Sequence, residues 1–408
     1  MVLGGGETLD GFSRFRDKPF TIVDSGPDEP AAILFTTGAT GPPKGVIYEH
    51  GMFNTQVATI MSYFGIDDTD VDMPAFPLFA LFSTAFGIPA VIPDMNPSYP
   101  AKCNPAKIVK ALQSRHVTTS FGSPAIWDRV SQYCQEKEIK LPAIKRILMA
   151  GAPVPGNLVG DFREFLADGA DVYTPYGATE CLPLACISGR EICAETEKLT
   201  RLGAGVCVGQ PMSNLSVKII RIEDGEIPEY SVGDLLEQGE IGEIIVKGPQ
   251  VTKAYFDLEY ENRLAKIKDG DGIWHRMGDL GYFDDADRLW VCCRKAHLVR
   301  SAAGLMYPLQ CEAVFNCHEW VKRSALVGVG PRGSEDPVII IEPITGRFPA
   351  TRGKMEHFTS LLLDISRENP LTRPIDNILY HHSFPVDVRH NAKIFRDQLK
   401  SWATGQLT

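Results

Sequence analysis

The sequence lacks several patterns that would place it in a common class of protein. It has ten cysteines but no C-x-x-C pair, and no cysteine cluster lies near histidines at zinc-finger spacing. This pattern favours free, buried thiols in a reducing cytosol. Blocks of basic residues are absent and the formal net charge is -10, so we expect no nucleic-acid partner.

Targeting and membrane signals are also scarce. The sequence does not begin with a basic segment followed by an apolar core, so we expect no signal peptide and a cytoplasmic protein. Residues 73–93 (MPAFPLFALFSTAFGIPAVIP) are uncharged and long enough to span a bilayer, but four prolines interrupt them. We expect a buried segment beside an apolar pocket rather than a transmembrane span.

The chain has 408 residues, of which 44% are hydrophobic and 23% charged, and this length predicts a large core and two or more domains. Helical patterns at residues 104–115 and 124–137 alternate with apolar strand patterns at 117–120 and 144–150. Such alternation predicts an α/β fold with a largely parallel sheet covered on both faces. After residue 199 the pattern changes to short strands at 215–222, 242–247 and 289–291, which predicts a β-rich subdomain.

The last part of the chain has its own mixed pattern. The residue patterns at 309–318 and 351–368 are typical of helices, and those at 324–329 and 338–342 are typical of strands. We therefore expect a compact α+β unit at residues 295–408, following a larger domain at residues 1–294.

One stretch, residues 32–46 (AILFTTGATGPPKGV), combines a short apolar run with a small-residue loop and a single lysine. The apolar run predicts the end of a buried strand, and the glycines and prolines predict a loop. Backbone N–H groups, threonine hydroxyls and Lys44 could all face anionic oxygens. The stretch departs from the G-x-x-x-x-G-K-[ST] nucleotide loop, because Pro43 precedes the lysine and Gly45 follows it. By itself it fits phosphate binding and a Gly/Pro-rich surface loop equally well.

A second motif, YTPYGATE, occupies residues 173–180. Together the two stretches resemble the phosphate loop and the Tyr-Gly-x-Thr-Glu motif of the adenylate-forming enzymes, which include acyl-CoA synthetases, luciferases and peptide-synthetase adenylation domains. Further matches follow in the family's order: GAP at 151–153, GEIIVKGP at 242–249, WHRMGDLGYF at 274–283, CRK at 293–295 and HNAKIFR at 390–396. On these motifs the chain is identified as a member of that superfamily.

The resemblance implies a large domain of parallel sheets and helices with a β-rich subdomain, followed by a small mobile α+β domain. In the family the phosphate loop lies well inside the large domain, whereas here it begins near residue 36. We therefore expect an N-terminally truncated chain, and the alternative is a homologue that has lost that portion.

The family's cofactors are ATP and Mg²⁺, and the resemblance implies a phosphate clamp at Thr37, Gly38, Thr40, Gly41 and Lys44. Where Ala39 stands the family usually has a hydroxyl residue, and losing one donor would weaken ATP binding by about 1 kcal/mol. Glu180 is the candidate ligand for Mg²⁺, which prefers a few carboxylates together with phosphate oxygens. The alternative for Glu180 is a solvated surface glutamate.

The resemblance also implies a nucleoside site. Tyr176, beside Gly177, would present its ring to adenine, and Thr179 would contact the α-phosphate. Asp279 would accept hydrogen bonds from the ribose hydroxyls. The remaining residues implied at this site are Gly151, Ala152, Pro153 and Arg294. The alternatives are a tyrosine simply buried beside glycine and an aspartate that forms a turn.

Lys393 is the candidate catalytic lysine, because a flexible ammonium can bridge the substrate carboxylate and the α-phosphate. Read alone, it would be a solvated charge near a C-terminus. Ala392 replaces the family's usual glycine beside it, and Ala296 replaces the usual hinge residue, so rotation of the small domain is less firmly predicted than adenylation.

Details such as PLFALF, GAGVCVG and FPVDVRHNAKIFR resemble the olefin β-lactone synthetases of bacterial long-chain hydrocarbon biosynthesis. This resemblance implies adenylation of a long-chain 2-alkyl-3-hydroxy acid and closure of a β-lactone, with other enzymes of hydrocarbon biosynthesis as candidate partners. Two alternatives stay open: a long-chain fatty acyl-CoA ligase, and a catalytically inactive scaffold.

Overall fold

The computed structural model describes residues 21, 23–36, 42–387 and 394–407. The first element is an antiparallel hairpin of β1 (Pro30–Phe35) and β2 (Gly45–Glu49), with Leu34 paired to Val46. β1 is the predicted strand, but the prediction that its end is buried is wrong. Ile33 and Phe35 are 40% and 68% exposed, because within the described residues β1 pairs only with β2 and no described element fully covers these side chains.

The main sheet has a parallel part, formed by strands that come first in the chain, and an antiparallel part, formed by later strands. Its strands are β3 (Thr119–Gly122), β4 (Arg146–Met149), β5 (Asp171–Ala178), β6 (Cys181–Ser188), β7 (Val206–Pro211), β8 (Ser216–Ile220), β9 (Gly242–Lys247), β10 (Lys266–Asp269), β11 (Gly272–Phe283) and β12 (Leu289–Arg294). The order is β3-β4-β5-β6-β7-β12-β11-β9-β8, and β10 pairs with β11. β3, β4 and β5 are parallel, and the later pairs are antiparallel. The predicted alternation and the short strands after residue 199 are both present, but antiparallel pairs outnumber the two parallel pairs among the described strands of this sheet.

Helices cover this sheet and connect its strands. They are α1 (His50–Phe64), α2 (Ala80–Ala85), α3 (Pro105–Ser114), α4 (Pro124–Lys137), α5 (Gly156–Arg163), α6 (Gly189–Glu191), α7 (Glu197–Arg201) and α8 (Glu259–Ala265), with a π-helical turn at Ile192–Thr196. Both α3 and α4 begin at a proline, whose missing N–H costs nothing in the first turn. The largest buried cluster, including Trp127, Phe162 and Ile147, lies between these helices and the parallel strands.

A second, smaller sheet follows β12. A turn at Lys295–His297 and the short hairpin β13 (Val299–Ser301) and β14 (Gly304–Met306) lead into β15 (Val321–Val329), β16 (Asp336–Pro343) and β17 (Asn377–Tyr380). Its helices are α9 (Pro308–Phe315), α10 (Arg352–Glu368) and α11 (Arg396–Leu407). The order β15-β16-β17 and two buried clusters, one around Phe358 and one around Leu399, give this α+β unit a core of its own.

Residues 73–93 are not the buried segment that their composition predicts. Met73 and Ala75 are buried, but Phe76, Leu78 and Leu81 are 44%, 52% and 67% exposed. The prolines confine helix to a single 3₁₀ turn at Pro77–Phe79 and to the short α2, and no described element fully covers the outward-facing apolar side chains there. Among the described residues no helix combines the length and apolar character that a membrane crossing needs.

Candidate active site

The phosphate-loop stretch, residues 32–46, begins in β1 and ends in β2. The Thr36 N–H donates to the Lys44 carbonyl at 2.9 Å, and the Lys44 N–H donates to Thr36 Oγ1 at 3.1 Å. These two bonds close the base of the loop. Four predicted phosphate ligands, Thr37, Gly38, Thr40 and Gly41, lie outside the described residues, so their role stays a prediction.

The Lys44 side chain extends from the hairpin towards α8. Its ammonium forms an ion pair with Glu261 and lies 5.1 Å from the centre of the Tyr255 ring. Both members of the ion pair are about one-third exposed, at 34% and 32% of their side-chain surface. Lys44 is therefore next to Tyr255, a residue that the sequence motifs did not single out.

Tyr176, Asp279 and Arg294 are brought together although they are far apart in the sequence. Tyr176 stands near the end of β5, and its hydroxyl donates to Asp279 Oδ2 at 2.6 Å. Asp279 on β11 is paired in register with Arg294 on β12, and the Arg294 Nε lies 3.1 Å from Asp279 Oδ1. The pairing of β11 with β12 thus fixes the guanidinium beside the carboxylate.

Burial and charge oppose each other at this cluster. Burial raises the pKa of Asp279 above its usual range, while Arg294 and the Tyr176 hydrogen bond act to lower it. Asp279 in turn raises the pKa of Arg294, and burial raises that of Tyr176 well above its ordinary value. A carboxylate held in this way is an acceptor with fixed orientation, which is what recognition of a pair of hydroxyls requires.

Thr179 and Glu180 form the tight turn that joins β5 to β6. Gly177 just before it has no room for a side chain, since a Cβ there would lie 2.5 Å from the Cys181 carbonyl oxygen. The Tyr48 hydroxyl donates to the Thr179 carbonyl at 2.5 Å, and the Thr252 N–H donates to the Glu180 carbonyl at 2.9 Å. The turn is thereby held from two sides, by β2 and by the segment after β9.

The Glu180 side chain has one direct partner on a neighbouring segment. The Tyr255 hydroxyl donates to Glu180 Oε1 at 2.7 Å, and burial together with the Glu180 charge raises the pKa of Tyr255. The Tyr255 N–H donates to the Asn262 amide oxygen at 2.7 Å, which anchors the tyrosine to α8. The sequence offered only a weak signal for Tyr255, its place shortly after the GEIIVKGP motif.

Lys266, the first residue of β10, is a second residue that sequence reasoning missed. Its ammonium donates to the Thr252 carbonyl and lies 5.7 Å from the centre of the Tyr255 ring. Burial lowers the pKa of Lys266 to about 7, and the charge of Glu180 opposes that shift. Lys44 and Lys266 therefore both contact the aromatic side chain that also holds Glu180.

The GAP motif lies beside the Tyr176 strand. Gly151, with φ of 94°, Ala152 and Pro153 follow β4, which pairs in parallel with β5 through Leu148 and Tyr173. The loop thus leaves the sheet at the same edge at which β5 reaches Tyr176. This position is compatible with the predicted wall opposite the tyrosine ring, and that role stays a prediction.

Lys393 lies outside the described residues, but the chain on both sides of it is fixed. Val386 and Ile394 form an antiparallel bridge, and Arg396 at the start of α11 forms an ion pair with the buried Glu312. Glu312 Oε1 also accepts a hydrogen bond from the Leu326 N–H at 2.7 Å. The described residues on either side of 388–393 are therefore held by this bridge and by the ion pair to α9.

In the part of the chain that the structure describes, no group of three or more His, Cys, Asp or Glu side chains is arranged to hold a metal ion. A metal held by protein ligands alone has no site among those residues. A metal that shares one carboxylate with phosphate oxygens is a different arrangement, and Glu180 supplies one carboxylate of that kind.

Comparison with known proteins gives consistent matches. The model of a family described as "AMP-binding enzyme" matches residues 6–256. The chain is 45% identical to an olefin β-lactone synthetase of Xanthomonas campestris pv. campestris over 390 residues, covering 94% of this chain and 69% of the relative. It is 42% identical to the olefin β-lactone synthetase of Stenotrophomonas maltophilia, covering 99% of this chain and 72% of that relative.

Among solved structures, the chain is similar to O-succinylbenzoate coenzyme A synthetase from Bacillus subtilis in complex with AMP. The TM-score is 0.71 and the identity 26%, and the match covers 92% of this chain and 70% of that one. The family model covers more than half of this chain, and the two synthetases resemble it over most of its length. The chain therefore belongs to the family of AMP-binding enzymes and is an ATP-dependent, adenylate-forming ligase.

Proposed function

We propose that this enzyme uses ATP and Mg²⁺ to activate a long-chain 2-alkyl-3-hydroxy acid and to close it to a β-lactone. The substrate carboxylate attacks the α-phosphorus of ATP, and pyrophosphate leaves. The 3-hydroxyl oxygen of the same substrate then attacks the acyl carbon and loses its proton, and AMP leaves. The energy of the acyl phosphate anhydride drives closure of the strained ring.

The observation that carries the long-chain part of this proposal is a row of aromatic rings. From Phe76 the centre-to-centre distances are 5.7 Å to Phe79, 5.9 Å on to Phe82 and 6.4 Å on to Phe53. Phe53 lies 4.8 Å from Tyr48, whose hydroxyl contacts the Thr179 carbonyl. The row joins the YGATE turn to an apolar surface.

That surface has the chemistry of a hydrocarbon-binding wall. Phe76, Leu78 and Leu81 are all substantially exposed at its outer end. Exposed apolar groups placed side by side are typical of binding sites, because covering them with an alkyl chain removes apolar area from water. A long alkyl substituent along the row would bring its carboxylate end towards Thr179 and Glu180.

The nucleotide is bound by the residues that the motifs predict. Tyr176, Gly177, Asp279 and Arg294 hold the nucleoside, with Gly151, Ala152 and Pro153 beside it. The hairpin loop, including Thr37, Gly38, Thr40, Gly41 and Lys44, holds the outer phosphates, and Thr179 contacts the α-phosphate. The buried Asp279 carboxylate, oriented by the Tyr176 hydroxyl and the Arg294 guanidinium, supports this assignment because it suits a polyol such as ribose.

Mg²⁺ fits the Glu180 carboxylate. One oxygen of that carboxylate is fixed by the Tyr255 hydroxyl, which orients the group, and hard oxygen donors together with phosphate oxygens suit Mg²⁺. When bound there, the ion neutralises phosphate charge and so favours departure of pyrophosphate. The chain's own part is to orient that carboxylate through the Tyr255 hydroxyl and to hold the Glu180 backbone carbonyl through Thr252.

Residues 295–408 act as a small domain that brings Lys393 to the reacting oxygens. Polar contacts between this unit and the preceding domain include Asn369 to the Leu202 carbonyl at 3.2 Å and Lys295 to Glu243 at 2.9 Å. Such contacts can break and re-form, which supports a unit that moves as a body. Lys393 stabilises negative charge where the carboxylate meets the α-phosphate.

Lactone closure, rather than transfer to coenzyme A, is supported by the names of the two synthetases. A tethered hydroxyl needs no second substrate, and well-oriented intramolecular attack reaches effective concentrations of about 10⁵ M or more. The second candidate, a long-chain acyl-CoA ligase, is favoured by the structural neighbour, which is named a coenzyme A synthetase. The two differ only in which nucleophile takes the acyl group.

Pyrophosphate release that depends on the carboxylic acid substrate tests the adenylation step. We expect release from wild type with a long-chain 3-hydroxy acid, ATP and Mg²⁺, a loss of at least about 100-fold in Lys393→Ala, and normal release in the surface control Lys354→Ala. Absence of release from wild type would support an inactive scaffold. Equal release from wild type and Lys393→Ala would remove Lys393 from the mechanism.

A further inference from the structure

The Tyr255 side chain contacts two lysine ammonium groups and one carboxylate. The Lys44 and Lys266 ammonium groups lie 5.1 Å and 5.7 Å from its ring centre, and its hydroxyl donates to Glu180 Oε1 at 2.7 Å. Lys44 reaches the ring from the phosphate-loop hairpin and Lys266 from β10. Two chain segments far apart in sequence thus place positive charge beside the Glu180 carboxylate.

The two lysines differ in the groups that balance their positive charge. Lys44 is ion-paired with Glu261. Lys266 donates to the Thr252 carbonyl and, at 3.4 Å, approaches Thr252 Oγ1, and within the described ranges no carboxylate lies close enough to form an ion pair with it. Its cross-strand partner His275 is buried and contacts the Ala265 carbonyl, so it supplies no negative charge.

An ammonium has three donors, and among the described residues the hydrogen bonds of the Lys266 ammonium go to Thr252 alone. Thr252 is itself bonded to the Glu180 carbonyl through its N–H and its hydroxyl, so Lys266 lies one residue away from the metal-ligand candidate. A half-buried cation with spare donors and no counter-ion is a favourable place for an anion to bind. The anions expected beside Lys44 and Glu180 are the outer phosphates of ATP.

We propose that Lys266 is a further phosphate-binding residue, which with Lys44 holds the β- and γ-phosphates of ATP and the departing pyrophosphate. This inference rests on the proposed function. The contrasting role is structural, in which Lys266 only holds the Thr252 carbonyl and contacts no nucleotide.

Nucleotide binding separates the two roles, because AMP lacks the outer phosphates. We measure dissociation constants for MgATP and for AMP by calorimetry in the full chain. Lys266→Met should weaken MgATP binding by at least about tenfold, since a charge-assisted contact is lost, and leave AMP binding within about twofold. Lys266→Arg should retain most MgATP affinity. The matched control is Lys268→Met, which removes the exposed lysine of the same strand.

Two results would overturn the inference: unchanged MgATP binding in Lys266→Met, or equal losses for MgATP and AMP, the sign of a structural role. If wild type binds neither nucleotide, the proposed function fails as well, and the two failures are therefore distinguishable.

A second test uses the wild-type protein, so it does not depend on whether a variant folds. Amine acetylation followed by peptide mass spectrometry reports the access of reagent to each lysine. MgATP should protect Lys266, AMP should not, and Lys268 should be labelled equally in both. Labelling of Lys266 that MgATP leaves unchanged would contradict phosphate contact.

Discussion

The Tyr176 hydroxyl donates to Asp279 Oδ2 at 2.6 Å, so the residue expected to face adenine also orients the residue expected to bind ribose. The two motifs that carry them, YGATE and MGD, are separated in sequence by 103 residues. Their contact means that the proposed nucleoside site would be one hydrogen-bonded unit rather than two independent subsites.

Tyr176→Phe should therefore affect ATP binding although the ring is kept. Loss of a hydrogen bond to a buried carboxylate costs about 1.5 kcal/mol or more, so we expect the KM for ATP to rise about tenfold. The pKa of Asp279, which the hydroxyl helps to lower, should rise, and the acid limb of ATP binding should move to higher pH. Steady-state kinetics across pH measure both effects. Tyr173→Phe on the same strand is the control, and an unchanged KM and pH profile would show that the hydroxyl does not matter.

The ion pair between Lys44 and Glu261 would compete with the phosphate contact that we propose for Lys44. Removing its charge in Glu261→Gln should free the ammonium and lower the KM for ATP by about two- to fivefold, a modest change because the ion pair is partly exposed. Glu259→Gln changes an exposed acid in the same helix turn and should have no effect. A higher KM in Glu261→Gln would instead mean that the glutamate holds Lys44 in its productive position.

Charges on the exposed end of the aromatic row should interfere with the alkyl chain alone. In the double variant Leu78→Glu, Leu81→Glu we expect the KM for a long-chain acid to rise at least about tenfold, because two apolar contacts are lost and charges are introduced. The KM for ATP should stay the same. Val232→Glu, another exposed apolar position, is the control. An equal effect on short-chain and long-chain acids would argue against this surface as the alkyl site.

Asp72 predicts a pH dependence of stability. It is 8% exposed, its Oδ2 accepts a hydrogen bond from Ser83 Oγ at 2.5 Å, and burial raises its pKa to about 6. Between about pH 4 and pH 6 the folded protein thus binds more protons at this site than the unfolded chain, so its contribution to stability falls as pH rises through that window. The full loss, reached above pH 6 to 7, is about 2–3 kcal/mol.

Asp72→Asn should remove this loss, because the amide is neutral at every pH and its oxygen can still accept from Ser83. Urea unfolding at pH 4 and at pH 7.5 measures the difference, and Asp68→Asn, an exposed neighbour, is the control. The variant should be relatively more stable at the higher pH. A variant that is less stable than wild type by the same amount at both values would show that Asp72 does not titrate in this window.

Local signals were strong enough to predict several elements. The helix Pro124–Lys137 and the strand Gly242–Lys247 were predicted with the ends that the structure shows. In the helix a first-turn proline and an apolar period agree, and in the strand a continuous apolar run lies between glycines. The parallel pairing of β3 with β4 agrees with the alternation of the two periods.

Burial at the edges of the fold could not be predicted in the same way. Ile33, Phe35 and Leu81 are apolar in sequence, and only the three-dimensional arrangement shows that nothing described packs over them. The sequence shows that a side chain is apolar and therefore favours burial. Whether it is buried depends on which other element packs over it.

The candidate site was predicted only where a family motif exists. Tyr176, Asp279 and Arg294 belong to such motifs and are in contact. Tyr255 and Lys266 do not, because their importance arises from the approach of β10 and the segment after β9 to the Glu180 turn, and no short spacing in the sequence encodes that approach.

Product analysis tests the central claim most directly. Purified protein is incubated with a long-chain 2-alkyl-3-hydroxy acid, ATP and Mg²⁺, with and without coenzyme A, and the products are identified by mass spectrometry and NMR. We predict a β-lactone with equimolar AMP and pyrophosphate, in the same yield in both incubations. A thioester formed only with coenzyme A, and no lactone in either incubation, would contradict the account.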